Sequence, residues 1–217
     1  MPEKSEIIKL SAYLVIISYA VCFICIGIAI AKSPWFSFPY NWLSELGNSS
    51  EGNTPVVDGI LVCHVFNAGL MLGGLGGMAF SYGMYLSNIF KGKKGMLAIA
   101  LFFLAMVFIF LTGFFSQDYG ILHTISAFSF FFLVPLSLLA ISLSTPGWTK
   151  LTLRIVSVAS LLAFVLLFVD RPWGSNSIVE FVPAIALGVG IILIVRMILS
   201  PNSPSATQTA SQDRESN

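Results

Sequence analysis

The chain has 217 residues, of which 56% are hydrophobic and only 10% are charged, and its formal net charge at pH 7 is +1. A soluble domain of this size carries about a quarter of its residues as Asp, Glu, Lys or Arg, so this composition excludes a protein whose surface faces only water. The small net charge gives no reason to expect nucleic acid as a partner. We therefore expect an integral membrane protein, with membrane lipid as its main solvent.

Six apolar segments follow one another along the chain. A crossing helix needs about 20 predominantly apolar residues, and a helix satisfies its own backbone groups where lipid cannot. Turn-forming stretches such as KSPWFSFP, FKGKKG and STPGWTK separate the segments. The sequence therefore predicts an all-α, polytopic bundle of six transmembrane helices within residues 1–199, with a loop at 32–58, a disordered cytoplasmic tail at 200–217, and spans at about 8–31, 59–88, 96–115, 122–144, 152–169 and 179–199.

Lysine and arginine are distributed unevenly between the two sides of this predicted bundle. If the N-terminus is cytoplasmic, the outer side keeps only Lys32 and Arg171. Cytoplasmic loops of membrane proteins carry the excess of positive charge. We expect a multi-pass protein of the cell membrane with both termini in the cytoplasm and the loop 32–58 outside.

The first span contains two of the three cysteines, Cys22 and Cys25, spaced three residues apart. They belong to a stripe of small residues, which is typical of close helix packing. A thiol–disulfide relay needs a second pair of cysteines, and only Cys63 remains. We interpret the pair as packing residues.

The loop after the first span contains the stretch NWLSELG, residues 41–47. Aromatic residues on its N-terminal side are suited to the headgroup level of a bilayer. We predict a short interfacial helix or lid, ended by Gly47, in which Leu43 and Leu46 dip toward lipid. We expect Glu45 to turn inward, toward His64, Asn67 or His123.

The second span carries different residues on two faces. Gly69, Gly73 and Gly77 recur every four residues, a spacing that favours intimate helix packing or a partner helix. His64 and Asn67 lie on another face, one turn apart, near the outer end of the span. The pattern is typical of a helix that packs on one side and lines a pocket on the other.

Most remaining polar groups also fall at the outer end of the predicted bundle. Polar residues at membrane depth are functional candidates by default, although each has a structural alternative as a helix cap, a partner of a backbone carbonyl or a local ion pair such as Asp170 with Arg171. The candidate pocket consists of Asn41, Ser44, Glu45, His64, Asn67, Asp118, His123, Asp170 and Glu180.

Metal and cofactor chemistry have weak support in the sequence. Two histidines and one acid could supply three zinc ligands, but no tight ligand motif is present. We assign no metal and no cofactor. A transporter is not favoured either, because the two halves show no internal repeat and the span centres have no ionisable residue.

Three stretches together resemble a known family: NWLSELG, then HVFNAGLMLGG in the second span, then GFFSQDYGILH before the fourth. They are similar to a prokaryotic and archaeal family of six-span membrane proteins, domain of unknown function 998. The first loop is also faintly similar to six-span proteins of the Frag1/DRAM/Sfk1 type, which are associated with membrane-lipid organisation. The resemblance implies that the motif residues of this chain are Ser44, Glu45, Leu46, Gly47, Phe66, Asn67, Gly113, Phe114 and His123.

Three functions remain open from the sequence. The first is a binding role, in which the outer polar pocket takes a lipid headgroup or another amphiphile. The second is a membrane-embedded lipid hydrolase or transferase, possible with His64 or His123 as general base, but without a recognisable nucleophile motif. The third is an assembly subunit that docks a helix partner or a second copy through Gly69, Gly73 and Gly77. We favour the binding role.

Overall fold

A computed structural model describes residues 3–49, 54–57, 59–169, 174 and 176–200. Within these residues six α-helices are long and apolar enough to cross a membrane. The expected all-α, six-span class is confirmed. The helices are α1 (Lys4–Lys32), α2 (Val62–Ser87), α3 (Gly92–Phe114), α4 (Ile121–Leu143), α5 (Gly147–Leu166) and α6 (Asn176–Ile198).

Short elements connect the helices at one end of the bundle. The loop helix, a 3-10 helix at Leu43–Gly47, lies between α1 and α2, and a second 3-10 helix at Gln117–Tyr119 lies between α3 and α4. Two short strands, β1 (Val56–Val57) and β2 (Ile60–Leu61), pair antiparallel immediately before α2. We call this end, where α1, α3 and α5 finish, the loop end.

The hairpin corrects one predicted boundary. The second span was expected to start at residue 59, but α2 starts at Val62 because Ile60 and Leu61 pair with β1. Asp58 lies outside the described residues. The predicted tail 200–217 also lies outside them, except for Ser200.

Each helix packs mainly on its neighbours in the chain, and α6 also contacts α1 and α4, which closes the bundle. The core contains large apolar side chains, with Phe80 of α2 set edge-on to Phe102 of α3 at a ring distance of 6.2 Å. The outer faces of α1 and α5 expose apolar side chains such as Ile17 and Ile155, which suit contact with acyl chains. The bundle is therefore apolar both inside and around its belt, and its polar groups concentrate at the ends.

Small residues set the distance between α1 and α2. A Cβ atom on Gly69 would lie 2.5 Å from Cys25 Cβ, so no larger residue fits at this crossing. The stripe of small residues on α1 faces a row of glycines on α2 along the whole contact, which explains both cysteines as packing residues. The pairs are Ser11 with Gly83, Ser18 with Gly76, Cys22 with Gly73 and Cys25 with Gly69.

A second glycine row on α2 faces α3. A Cβ on Gly74 would lie 2.7 Å from Phe110 Cβ and 2.8 Å from the backbone oxygen of Met106. Gly77 also packs on Met106, so the three glycines of the predicted ladder do not share one partner: Gly69 and Gly73 lie against α1, and Gly77 lies against α3. The three glycines of the predicted ladder are therefore covered by helices of the same chain.

Candidate functional site

Glu45 forms hydrogen bonds within the first loop, which connects α1 and α2. Its Oε2 accepts a hydrogen bond from Asn41 Nδ2 at 2.6 Å, and its Oε1 accepts one from the backbone N–H of Trp42 at 3.2 Å. The second bond caps the loop helix, because Trp42 precedes its first residue. Glu45 therefore does not point toward His64, Asn67 or His123, as the sequence interpretation expected, but braces its own loop.

The acid that reaches across the bundle to the loop helix is Glu180 of α6. Its carboxylate accepts a hydrogen bond from the N–H of Leu43, and Ser44 lies beside the same carboxylate. Glu180 is only 6% exposed. A buried carboxylate thus satisfies a backbone donor at the start of the loop helix that has no partner within the helix.

The start of α6 holds the preceding part of the first loop as well. Ser177 Oγ donates to the carbonyl of Asn41 at 2.7 Å, and Asn176 Nδ2 donates to the carbonyl of Tyr40 at 2.9 Å. Neither residue was a candidate in the sequence, because a Ser or Asn at a helix start reads as a local cap.

The two leucines of the loop helix point into the protein. Leu43 and Leu46 are almost fully buried and belong to the apolar core, so the expected contact with lipid is wrong. Leu43 and Ser44 line a cavity of about 60 Å³ with mostly apolar walls, including Phe66 and Phe130. The loop helix closes the bundle as a plug.

Asn67 of α2 fastens the other end of the loop helix. Its Nδ2 donates to the carbonyl of Gly47 at 2.9 Å. A Cβ on Gly47 would lie 2.5 Å from Asn67 Oδ1, and a Cβ on Gly113 of α3 would lie 2.5 Å from the backbone oxygen of Asn67. Three motif residues therefore meet in one stack, and the two glycines leave room for the asparagine.

The Asn67 amide has a fixed orientation and one unmet bond. Because Nδ2 donates to a carbonyl, exchanging the amide nitrogen and oxygen would bring two acceptors together. Oδ1 is buried, and no described residue donates a hydrogen bond to it. The side chain is 9% exposed.

Asp118, in the second 3-10 helix, ties the α3–α4 connection to the first loop. Its carboxylate accepts from the N–H of Ser49 at 3.0 Å, from Ser49 Oγ at 3.0 Å, and from Ser116 Oγ at 2.7 Å. The two serines were not predicted, because Ser49 is 69 residues away from Asp118 and no local pattern indicates the pairing.

These contacts frame a groove of about 560 Å³ between α2, the end of α3 and the first loop. Three of the predicted residues, His64, Asn67 and Asp118, line it together. The remaining lining was not predicted and consists of Ser49, Cys63, Ala68, Met71, Gly113, Phe114, Ser116 and Tyr119.

The polarity of the groove changes with depth. His64 lies in the first turn of α2 and Met71 lies seven residues further along the helix, which is about 10 Å at 1.5 Å per residue. Ser49, Ser116 and Asp118 are therefore at the mouth. Ala68 and Met71 form an apolar lower wall, and Phe114, the last residue of α3, is largely exposed at the rim.

The other predicted residues lie elsewhere. His123 of α4 is 6% exposed, its Nδ1 is 2.8 Å from the carbonyl of Phe115, and its Nε2 is buried without a hydrogen-bond partner in the described part of the chain. Because a carbonyl can only accept, Nδ1 carries the proton. Among the described residues the groove lining does not include His123. Asp170 lies outside the residues that the structure describes.

No three His, Cys, Asp or Glu side chains of the described part of the chain come together in an arrangement able to hold a metal ion.

Six apolar crossing helices with a plugged, polar loop end define a multi-pass integral membrane protein. The sequence profile of the family described as "Protein of unknown function (DUF998)" matches residues 16–197, and the chain belongs to that family. No curated protein matches the chain, and no solved structure does. The matched region includes the loop helix, Asn67, Gly113 and the whole groove.

Proposed function

We propose that the protein binds a membrane amphiphile, with the headgroup in the mouth of the groove and the chain along its lower wall. The observation that carries this proposal is the change from polar to apolar lining over about 10 Å of α2. A phospholipid has the same change of polarity at the edge of the hydrocarbon region. A groove for a soluble polar ligand would have no need of an apolar wall at that depth.

The size of the groove and its surroundings support the same ligand class. A volume of about 560 Å³ is within the range of roughly 300–1,000 Å³ that small-molecule sites occupy. Beyond the groove, exposed Leu72 and Leu75 continue along the lipid-facing side of α2. A chain leaving the groove would lie on that surface without crossing the protein.

The distribution of basic residues indicates the leaflet. Lys91, Lys93, Lys94, Lys150 and Arg154 flank the helix ends opposite the loop end. Positive charge favours the cytoplasmic side, so the groove would open to the outer leaflet of the cell membrane.

The rigidity of the walls favours binding over catalysis. Asp118 holds its two serines, Asn67 holds Gly47, and α2 touches α3 through Gly113. A site on braced elements is pre-organised for a ligand. The two histidines that an enzyme would use together lie apart, one in the groove and one on the Phe115 carbonyl.

The proposal predicts that filling the groove abolishes lipid capture. The protein is reconstituted in vesicles with phospholipids that carry a diazirine in one acyl chain, and labelled peptides are identified by mass spectrometry after irradiation. We expect labelling above the bulk level on the α2 segment around Met71. The variant Ala68→Trp should reduce that labelling to the level of bulk lipid contact, because Ala68 lines the groove.

The matched control is Ala100→Trp, which adds the same side chain on an exposed position of α3. It should leave the labelling around Met71 unchanged. Equal labelling in the native protein, Ala68→Trp and Ala100→Trp would contradict the proposed groove site.

A further inference from the structure

We infer that the groove is selective for a lipid whose headgroup carries an ammonium group, over one whose headgroup is only anionic. This inference rests on the proposed function and adds the headgroup chemistry. Two features of the lining support it: its charge and its aromatic rings.

The charge of the lining disfavours a phosphate or sulfate as the group that enters deepest. None of its described residues is Lys or Arg, and Asp118 contributes a carboxylate at the mouth. Anionic groups are recognised by arginine or lysine, or by clustered backbone N–H groups. Here the mouth holds a negatively charged carboxylate instead, and it would repel an anionic headgroup because like charges in a partly enclosed site repel each other.

The second feature is the pair of aromatic side chains at the rim, Phe114 and Tyr119, both largely exposed. They extend an edge-to-face chain in which Phe115 lies 5.2 Å from Phe114 and 5.7 Å from Tyr119 between ring centroids. A cation over an aromatic face is attracted by the ring quadrupole. The Asp118 carboxylate and the aromatic faces together suit an ammonium group.

The choice between lipids can be measured with three diazirine lipids in otherwise identical vesicles: phosphatidylethanolamine, phosphatidylcholine and phosphatidylglycerol. We expect the two ammonium lipids to label the segment around Met71 about three to ten times more than phosphatidylglycerol, the size of one partly screened charge interaction. Soluble ethanolamine, which has the ammonium group but no acyl chain, should leave the labelling unchanged.

The variant Asp118→Asn tests the origin of the preference. An asparagine keeps an oxygen that can accept from Ser49 and Ser116, so the loops should stay in place while the charge is lost. We expect the labelling ratio to fall toward one. The control Glu6→Gln removes an acid from the exposed first turn of α1, at the other end of the bundle, and should keep the native ratio.

The outcomes separate the two proposals. If no lipid labels the groove above the bulk level, the amphiphile site itself is wrong. If all three lipids label it equally, or phosphatidylglycerol labels it best, the groove binds lipid but the ammonium preference is overturned. Displacement by soluble ethanolamine together with equal labelling would indicate a soluble amine and would also overturn the inference. A ratio that survives Asp118→Asn contradicts the role given to that carboxylate.

Discussion

Gly74→Ala should destabilise the protein although it adds a single methyl group. The new Cβ would lie 2.7 Å from Phe110 Cβ and 2.8 Å from both the Met106 oxygen and the Phe110 nitrogen. Two of these three atoms belong to the backbone of α3, so a change of rotamer cannot relieve the contact and the helices must separate. Overpacking of this kind costs about 1–3 kcal/mol, which corresponds to a fall in melting temperature of about 3–10 °C for a chain of this size.

The matched control is Gly27→Ala on the exposed face of α1, where an added Cβ meets nothing within 4 Å. Alanine is the better helix former, so Gly27→Ala should melt at the native temperature or slightly above it. Both variants are compared in the same detergent by thermal unfolding. The packing argument is wrong if Gly74→Ala is as stable as Gly27→Ala.

The sequence predicts the helical architecture because lipid imposes a strict length rule on each crossing segment. All six apolar segments are helices, and the connections between them contain the turn-forming residues of the sequence. The β hairpin before α2 was not predictable from pattern, because two residues per strand are too few to show an alternation. The largest difference from a predicted bound is at α5, which starts at Gly147 instead of at about residue 152.

The partners of the glycines could be predicted only in part. Spacing along α2 indicates which glycines share a face of that helix. The spacing does not indicate which neighbouring helix packs on that face. A helix that lies between two others has two close packing interfaces. Gly74 and Gly77 contact α3, whereas Gly69 and Gly73 contact α1. The predicted row of glycines at every fourth residue therefore combined residues from two different helix contacts.

The sequence predicted that the polar residues lie at the loop end, but it could not predict which partner each side chain would bind. Glu45 bonds within four residues of itself, whereas Glu180 reaches Leu43, 137 residues away. Both are glutamates next to an apolar span, and nothing local distinguishes them. His64, Asn67 and Asp118 do lie in one groove. The sequence could predict this grouping because the order of the spans places all three residues at the same end of the bundle.

Glu180→Ala should release the loop helix. In the native protein the buried Glu180 carboxylate accepts from Leu43 N–H. Alanine leaves this donor without an acceptor, and an unsatisfied buried group costs about 1–3 kcal/mol. A loss of about 2 kcal/mol corresponds to a roughly 30-fold increase in the open population. Hydrogen–deuterium exchange of the peptide covering residues 40–48 should accelerate by that factor.

Two further variants identify what Glu180 contributes. Glu180→Gln keeps one side-chain oxygen as an acceptor, so its exchange should be intermediate between the native protein and Glu180→Ala. Glu6→Ala removes an exposed glutamate from the first turn of α1 and should leave exchange at 40–48 unchanged. Because Asn67 holds Gly47 from the other side, the loop helix should loosen from its Leu43 end while Gly47 stays in place. Unchanged exchange at Leu43 and Ser44 in Glu180→Ala would show that Leu43, Leu46 and the α6 start hold the plug without the carboxylate.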